Sequence, residues 1–168
     1  MAAMKITIRQ RADAFNDMGP PKSEAGERSI PMPVLLVNAL KEWKLACPKG
    51  DHGLAFPNGA GKPESRANIA NRGLKPTVLA AGVTVMGKDA KGEPKALPKY
   101  TGLHALRHFY ASWCINPVAQ GGMGLSPKVV QERLGHASIA MTLDVYGHLF
   151  PSSDGSDEVT AAAAALLS

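Results

Sequence analysis

Pro117 and the GGMG run at 121–124 cut the second half of the chain into short pieces, and no long continuous helix survives there. Before the break, apolar side chains at Leu103, Leu106, Tyr110 and Trp113 recur every three or four residues, which predicts a helix over 103–115 with those four on its buried face. After it, Ser126-Pro127 is a cap and first-turn pair. Val130 and Leu134 form an apolar stripe, and Gly135 supplies a stop. Ser138 can cap one more short helix ending near Tyr146, and the alanine-rich end from Asp157 onward is a strong helix former. This half is therefore expected to be a bundle of short helices joined by tight turns.

The first half reads differently. From Met4 to Arg9 apolar and polar residues alternate, so that Met4, Ile6 and Ile8 share one face of a strand and Lys5, Thr7 and Arg9 the other. Asn, Asp, Gly, Pro and Ser gather between residues 16 and 26, and Arg28 to Pro31 is extended again. That order predicts a β-hairpin whose loop carries Lys22. Pro33 is placed to open a helix carrying Leu36, Val37, Leu40 and Trp43, with Trp43 in a core. A further helix is expected from about Arg66, interrupted or kinked by Pro76. Residues 82–99, with Lys88, Lys91, Lys95 and Lys99 among glycines and prolines, read as an exposed loop. The expected fold is α+β: a mainly helical domain with a small antiparallel sheet near the N-terminus. The expected boundaries are one main domain over 1–152 and a helical tail over 153–168.

Composition narrows the partners. Lysine and arginine outnumber aspartate and glutamate by 19 to 14, a net charge of +5, which favours an anionic partner without naming one. Cys47 and Cys114 are the 2 cysteines. They are far apart and outside any CxxC spacing, so neither a disulfide framework nor a zinc site of the usual kind is suggested, and a reducing cytoplasm is the expected compartment. The N-terminal residues turn charged too early for a signal peptide, and no stretch is long and apolar enough to suggest a membrane partner.

Two segments carry chemistry. In LHALRHFYAS, His104 and Arg107 stand three apart and share a helix face; in LGHASIAMTLDVYGH, His136 precedes Tyr146 by one short helix. These segments resemble the His-x-x-Arg box and the His-to-Tyr segment of tyrosine recombinases and phage integrases, in order and in spacing. The resemblance runs from about residue 4 to 152, is most specific over 103–150, and is looser in the hairpin PKSEAGERSIP.

Carried over residue by residue, the resemblance implies five site residues. Tyr146 is the nucleophile that attacks a DNA phosphodiester, and the expected product is a covalent 3′-phosphotyrosyl intermediate. No nucleotide cofactor is needed, because the bond energy is kept for rejoining, and no metal is expected. A phenol with a pKa near about 10 needs a base or a positive field to attack at neutral pH, and His104 is the base. Arg107 holds the non-bridging oxygens as charge builds on them. His136 hydrogen-bonds the scissile phosphate, and Lys22 protonates the leaving 5′ oxygen. The family's first arginine is expected upstream of Met1 together with an N-terminal DNA-grasping domain, so the chain reads as a truncated catalytic domain. The resemblance further implies double-stranded DNA as partner and self-association, or pairing with related recombinase subunits, through the C-terminal helix.

Each residue has an ordinary alternative. Tyr146 could be a packed aromatic, His136 a helix cap, Arg107 a surface ion-pair partner, and Lys22 one of the many lysines found in turns. His108 and His148 are assigned to local hydrogen bonding. A metal hydrolase is disfavoured because His104, His108, His136 and His148 lack a HExxH helix, and only Asp144 lies close in sequence. The standing alternative to a strand transferase is a catalytically incomplete integrase remnant that binds DNA, or a related recombinase, without cutting.

Overall fold

A computed structural model describes residues 4–13, 15–151 and 156–166. The chain divides into two compact units, 1–109 and 110–168. The expected limit between 152 and 153 falls outside the described residues. Helices and small antiparallel sheets make up both the plan and the order of elements expected for an α+β domain of this kind.

In the first unit, β1 (Lys5–Ile8) pairs antiparallel with β4 (Arg28–Pro31), Thr7 lying opposite Ser29. The alternation is realised: Ile6 and Ile8 are half-buried, while Lys5 and Thr7 face out. On the exposed face the Thr7 and Ser29 hydroxyls meet at 2.9 Å. The hairpin has a second tier. β2 (Arg11–Ala12) pairs with β3 (Met18–Gly19), closed by a turn in which Asp13 Oδ1 accepts from the N–H groups of Phe15 and Asp17. Lys22 therefore lies on the return path between β3 and β4 rather than at the tip.

α1 (Val34–Ala46) starts after Pro33, as its ring geometry favours. None of its residues is fully buried, and Trp43 is 39% exposed, so the expected core role for Trp43 is not met. Its indole instead stacks with Phe56 at 6.5 Å and donates Nε1–H to the Ala55 carbonyl at 2.7 Å, tying α1 to the segment that follows it.

Pro76 does not break its helix. The run from α2 (Arg66–Asn68) to α3 (Lys75–Ala80) passes through a π-helical turn at Ile69–Leu74. Proline lacks the N–H that an α-helix would point at the fourth carbonyl back, and its ring crowds that carbonyl; widening the preceding turn relieves both demands.

Residues 82–99 correct the loop expectation. They form a hairpin of β5 (Thr84–Lys88) and β6 (Pro94–Pro98), with Thr84 opposite Pro98 and Lys88 opposite Pro94. Both prolines sit at strand ends in a two-stranded sheet, where a missing donor interrupts little of the ladder. Asp89 Oδ1 accepts from the N–H groups of Lys91 and Glu93, and Gly92 takes φ 86°, so side-chain and backbone both close the turn.

α4 (His104–Ile115) contributes its second half to the second unit. Of the face expected to be buried, Leu103 and Tyr110 are half-buried, Tyr110 packing against the core, but the other two members lie open. Leu106 is 54% exposed and Trp113 41%, whereas Ala111, Cys114 and Ile115 are essentially sealed. They pack with Val130 and Leu134 of α5 (Pro127–Leu134) and with Tyr146 of α6 (Ile139–Tyr146). The glycine-rich run after Pro117 folds back along α4: Met123 and Leu125 N–H groups bond the Trp113 and Cys114 carbonyls, and Trp113 Nε1–H reaches the Gly121 carbonyl at 3.0 Å. Met123 and Leu125 on this return strap pack against the same cluster. Both cysteines are buried and unpaired with each other. α7 (Ser156–Leu166) follows.

Candidate active site

The second unit brings His136 and Tyr146 together. α5 ends at Gly135, whose φ of 70° is the left-handed cap conformation that glycine adopts without a Cβ penalty. The cap returns the His136 N–H to the Gln131 carbonyl at 3.1 Å. Gln131 also donates Nε2–H to the His136 carbonyl at 3.0 Å, so one buried side chain and its own carbonyl hold the His136 backbone from both ends. The orientation of that amide is set by Lys128, whose ammonium donates to Oε1 at 3.0 Å.

Ser138 then caps α6, accepting the Met141 N–H on its hydroxyl, as expected. The helix carries Thr142 and Tyr146, four apart and both buried, on one face. Thr142 Oγ1 lies 2.8 Å from His136 Nδ1. The imidazole and the Tyr146 ring are nearly parallel, 10° between planes and 6.4 Å between centroids. Tyr146 is 4% exposed and belongs to the core cluster with Ile115 and Val130. It takes the place of a packed aromatic, which was its ordinary alternative.

In the first unit, His104 and Arg107 occupy the first turns of α4 at the i and i+3 positions of one face. His104 is exposed and meets His108 edge-on, ring centroids 5.0 Å apart. Lys22 is exposed and lines a depression with Arg11, Asp13, Asn16, Glu64 and Arg66, and with neither His104 nor Arg107. Glu64 on its rim is held below the usual carboxylate range, first by the Asn68 side-chain amide and then by the Ser65 N–H.

The residues that sequence reasoning missed are Thr142 and Gln131. Thr142 stands four before Tyr146, a spacing that puts it on the same helix face. Nothing in the sequence said that this face meets His136. Among the described residues no three His, Cys, Asp or Glu side chains are grouped to hold a metal ion, and no helix is long and apolar enough to cross a membrane.

The family model described as "Phage integrase family" matches residues 21–152. The transposase from transposon Tn916 of Enterococcus faecalis is 33% identical over 132 residues, covering 76% of the chain, and the transposase from transposon Tn1545 of Streptococcus pneumoniae matches equally well. The chain spans 29% of the length of each. Among solved structures, the Tn1549 transposon integrase in complex with transposon right end DNA is similar in fold, with a TM-score of 0.61 at 21% identity over 99% of this chain and 50% of that one. A second Tn1549 integrase structure, with circular intermediate DNA, gives 0.58 at 24% identity over 98% of this chain and 50% of the other. The fold and the matched segment agree, and the chain belongs to the phage integrase family of tyrosine recombinases.

Proposed function

We propose that the chain carries out the strand-transfer step of site-specific DNA recombination, with Tyr146 as nucleophile. The observation that carries this reading is the pairing of Tyr146 with a tethered His136 inside the segment matched by the family. The Tyr146 phenolic oxygen attacks the scissile phosphorus, a 3′-phosphotyrosyl bond forms, and the bond to the 5′ oxygen breaks. His104 takes the phenolic proton, Arg107 neutralises the non-bridging oxygens, His136 donates to one of them, and Lys22 protonates the leaving 5′ oxygen. Reversal by a 5′ hydroxyl from another strand restores the phosphodiester and frees the tyrosine, so no nucleotide cofactor is consumed.

The named relatives are transposases and the similar structures are integrases held with transposon right end DNA or circular intermediate DNA, which supports double-stranded DNA as substrate. The basic excess of 19 over 14 charges supports the same partner. Self-association on DNA through α7 is part of this proposal. If deleting residues 157–168 leaves the mass of the DNA complex unchanged, that part is wrong.

The test is a nicked attachment-site duplex incubated with the purified chain and resolved on a denaturing gel. A covalent adduct lost in Tyr146→Phe and in Arg107→Ala supports the proposal. Salt-sensitive association with no adduct favours a module that binds DNA without cutting it.

A further inference from the structure

We infer that Thr142 is a positioning residue that holds His136 in the tautomer carrying its proton on Nε2. The Thr142 hydroxyl is completely buried, and His136 Nδ1 at 2.8 Å is its hydrogen-bond partner among the described residues. A hydroxyl both donates and accepts, so two arrangements fit that distance. If Nδ1 carried the proton, it would donate to Oγ1, and the hydroxyl hydrogen would be left in a sealed site with no acceptor among the described residues. Buried donors without acceptors are costly, and native interiors avoid them. If the hydroxyl donates to Nδ1 instead, its hydrogen is satisfied and the ring proton lies on Nε2.

The surroundings oppose a ring flip that would undo this. Gln131 fixes the His136 backbone from both ends, and Lys128 fixes the Gln131 amide. The Tyr146 ring lies within 10° of parallel to the imidazole. Turning the imidazole over would face a carbon at Thr142 Oγ1 and forfeit the hydrogen bond. Hydrogen-bonding one ring nitrogen to choose the function of the other is a general device for histidine.

The consequence for chemistry rests on the strand-transfer reading proposed above. An imidazole held with its proton on Nε2 donates to an anionic phosphate oxygen and does not take a proton there. His136 is thereby assigned as a donor, and the base role falls to His104. The tautomer itself does not depend on that reading.

The experiment is a long-range proton–nitrogen correlation spectrum of the chain labelled with ¹⁵N-histidine, recorded at about pH 8 where ordinary imidazoles are neutral. His136→Gln identifies the His136 signals. The expected spectrum has a pyrrole-like Nε2 and a pyridine-like Nδ1, kept in Thr142→Ser and lost to a mixture in Thr142→Val. Adduct formation on the nicked duplex should fall by about 10- to 100-fold in Thr142→Val and recover in Thr142→Ser. A pyrrole-like Nδ1 in the parent chain, or an unaltered tautomer in a folded Thr142→Val, overturns the inference. Should Thr142→Val fail to fold, the parent and Thr142→Ser spectra decide it. If the spectra are as expected and no variant forms an adduct, strand transfer is the reading that fails and the role of Thr142 stands.

Discussion

Tyr146 lies almost parallel to His136, 6.4 Å between ring centroids, while only 4% of its surface reaches solvent. A phenol in that position is held by core packing against Ile115 and Val130 on α4 and α5 as well as by its neighbour.

That burial has a direct readout. Tyr100 is 45% exposed, so tetranitromethane should nitrate Tyr100 readily and spare Tyr146 when DNA is absent. Peptide mass spectrometry of the modified chain measures both sites at once. Equal modification of the two would contradict the buried position.

Gly135 sets where His136 begins. An alanine there has to adopt φ near 70° with a Cβ, at a cost of about 1–2 kcal/mol. Gly135→Ala should lower the urea midpoint by a corresponding amount and displace the His136 imidazole signals. Signals left in place would mean that Gln131 and Thr142 suffice to hold the ring.

Ile115 is 1% exposed beneath the same cluster. Truncation to alanine leaves a void that helices α4, α5 and α6 cannot fill without moving, so Ile115→Ala should destabilise the second unit by about 2–5 kcal/mol. Chemical denaturation followed by tryptophan fluorescence would report it through Trp113. A loss below about 0.5 kcal/mol, the lower end for even one buried methyl group, would be too small for a sealed site.

The Tyr110 hydroxyl ionises above the ordinary value of 10.0, first because burial disfavours the phenolate and then because of the Cys114 side chain. The unfolded chain therefore releases this proton at lower pH than the folded one. Stability is full below about pH 10 and declines as pH rises from there towards the higher folded value. Tyr110→Phe should unfold at higher pH than the parent in an alkaline titration followed by circular dichroism. An unchanged alkaline midpoint would show that Tyr110 does not govern it.

Asp89 closes the β5–β6 hairpin by accepting two backbone N–H groups. Asp89→Ala should raise amide exchange across Thr84–Lys88 while leaving exchange in α5 unaltered. Uniform exchange before and after the change would mean that Gly92 and the backbone alone set the turn.

Much of this was legible along the chain because the signals are local. The strand at Lys5–Ile8, the Ser126-Pro127 start and Gly135 stop of α5, and the Ser138 cap all follow from preferences within a few residues. The hairpin at 84–98 escaped because its prolines and glycines have the composition of a loop, and their strand-end positions appear only once the partner strand is paired. Likewise, period alone marked Leu106 and Trp113 as apolar members of α4; which face is covered depended on the packing of Ala111, Cys114 and Ile115 against Val130, Leu134 and Tyr146.

The site divides in the same way. Sequence determined the identity and order of His104, Arg107, His136 and Tyr146, because their types and spacing are properties of a single stretch of chain. Tertiary structure alone decided that Thr142 meets His136 Nδ1, that Gln131 grips the His136 backbone, and that Tyr146 is buried. Those contacts join the end of one helix to the face of the next. Their distances are set by how α5 and α6 pack, and residue spacing along the chain does not encode that angle.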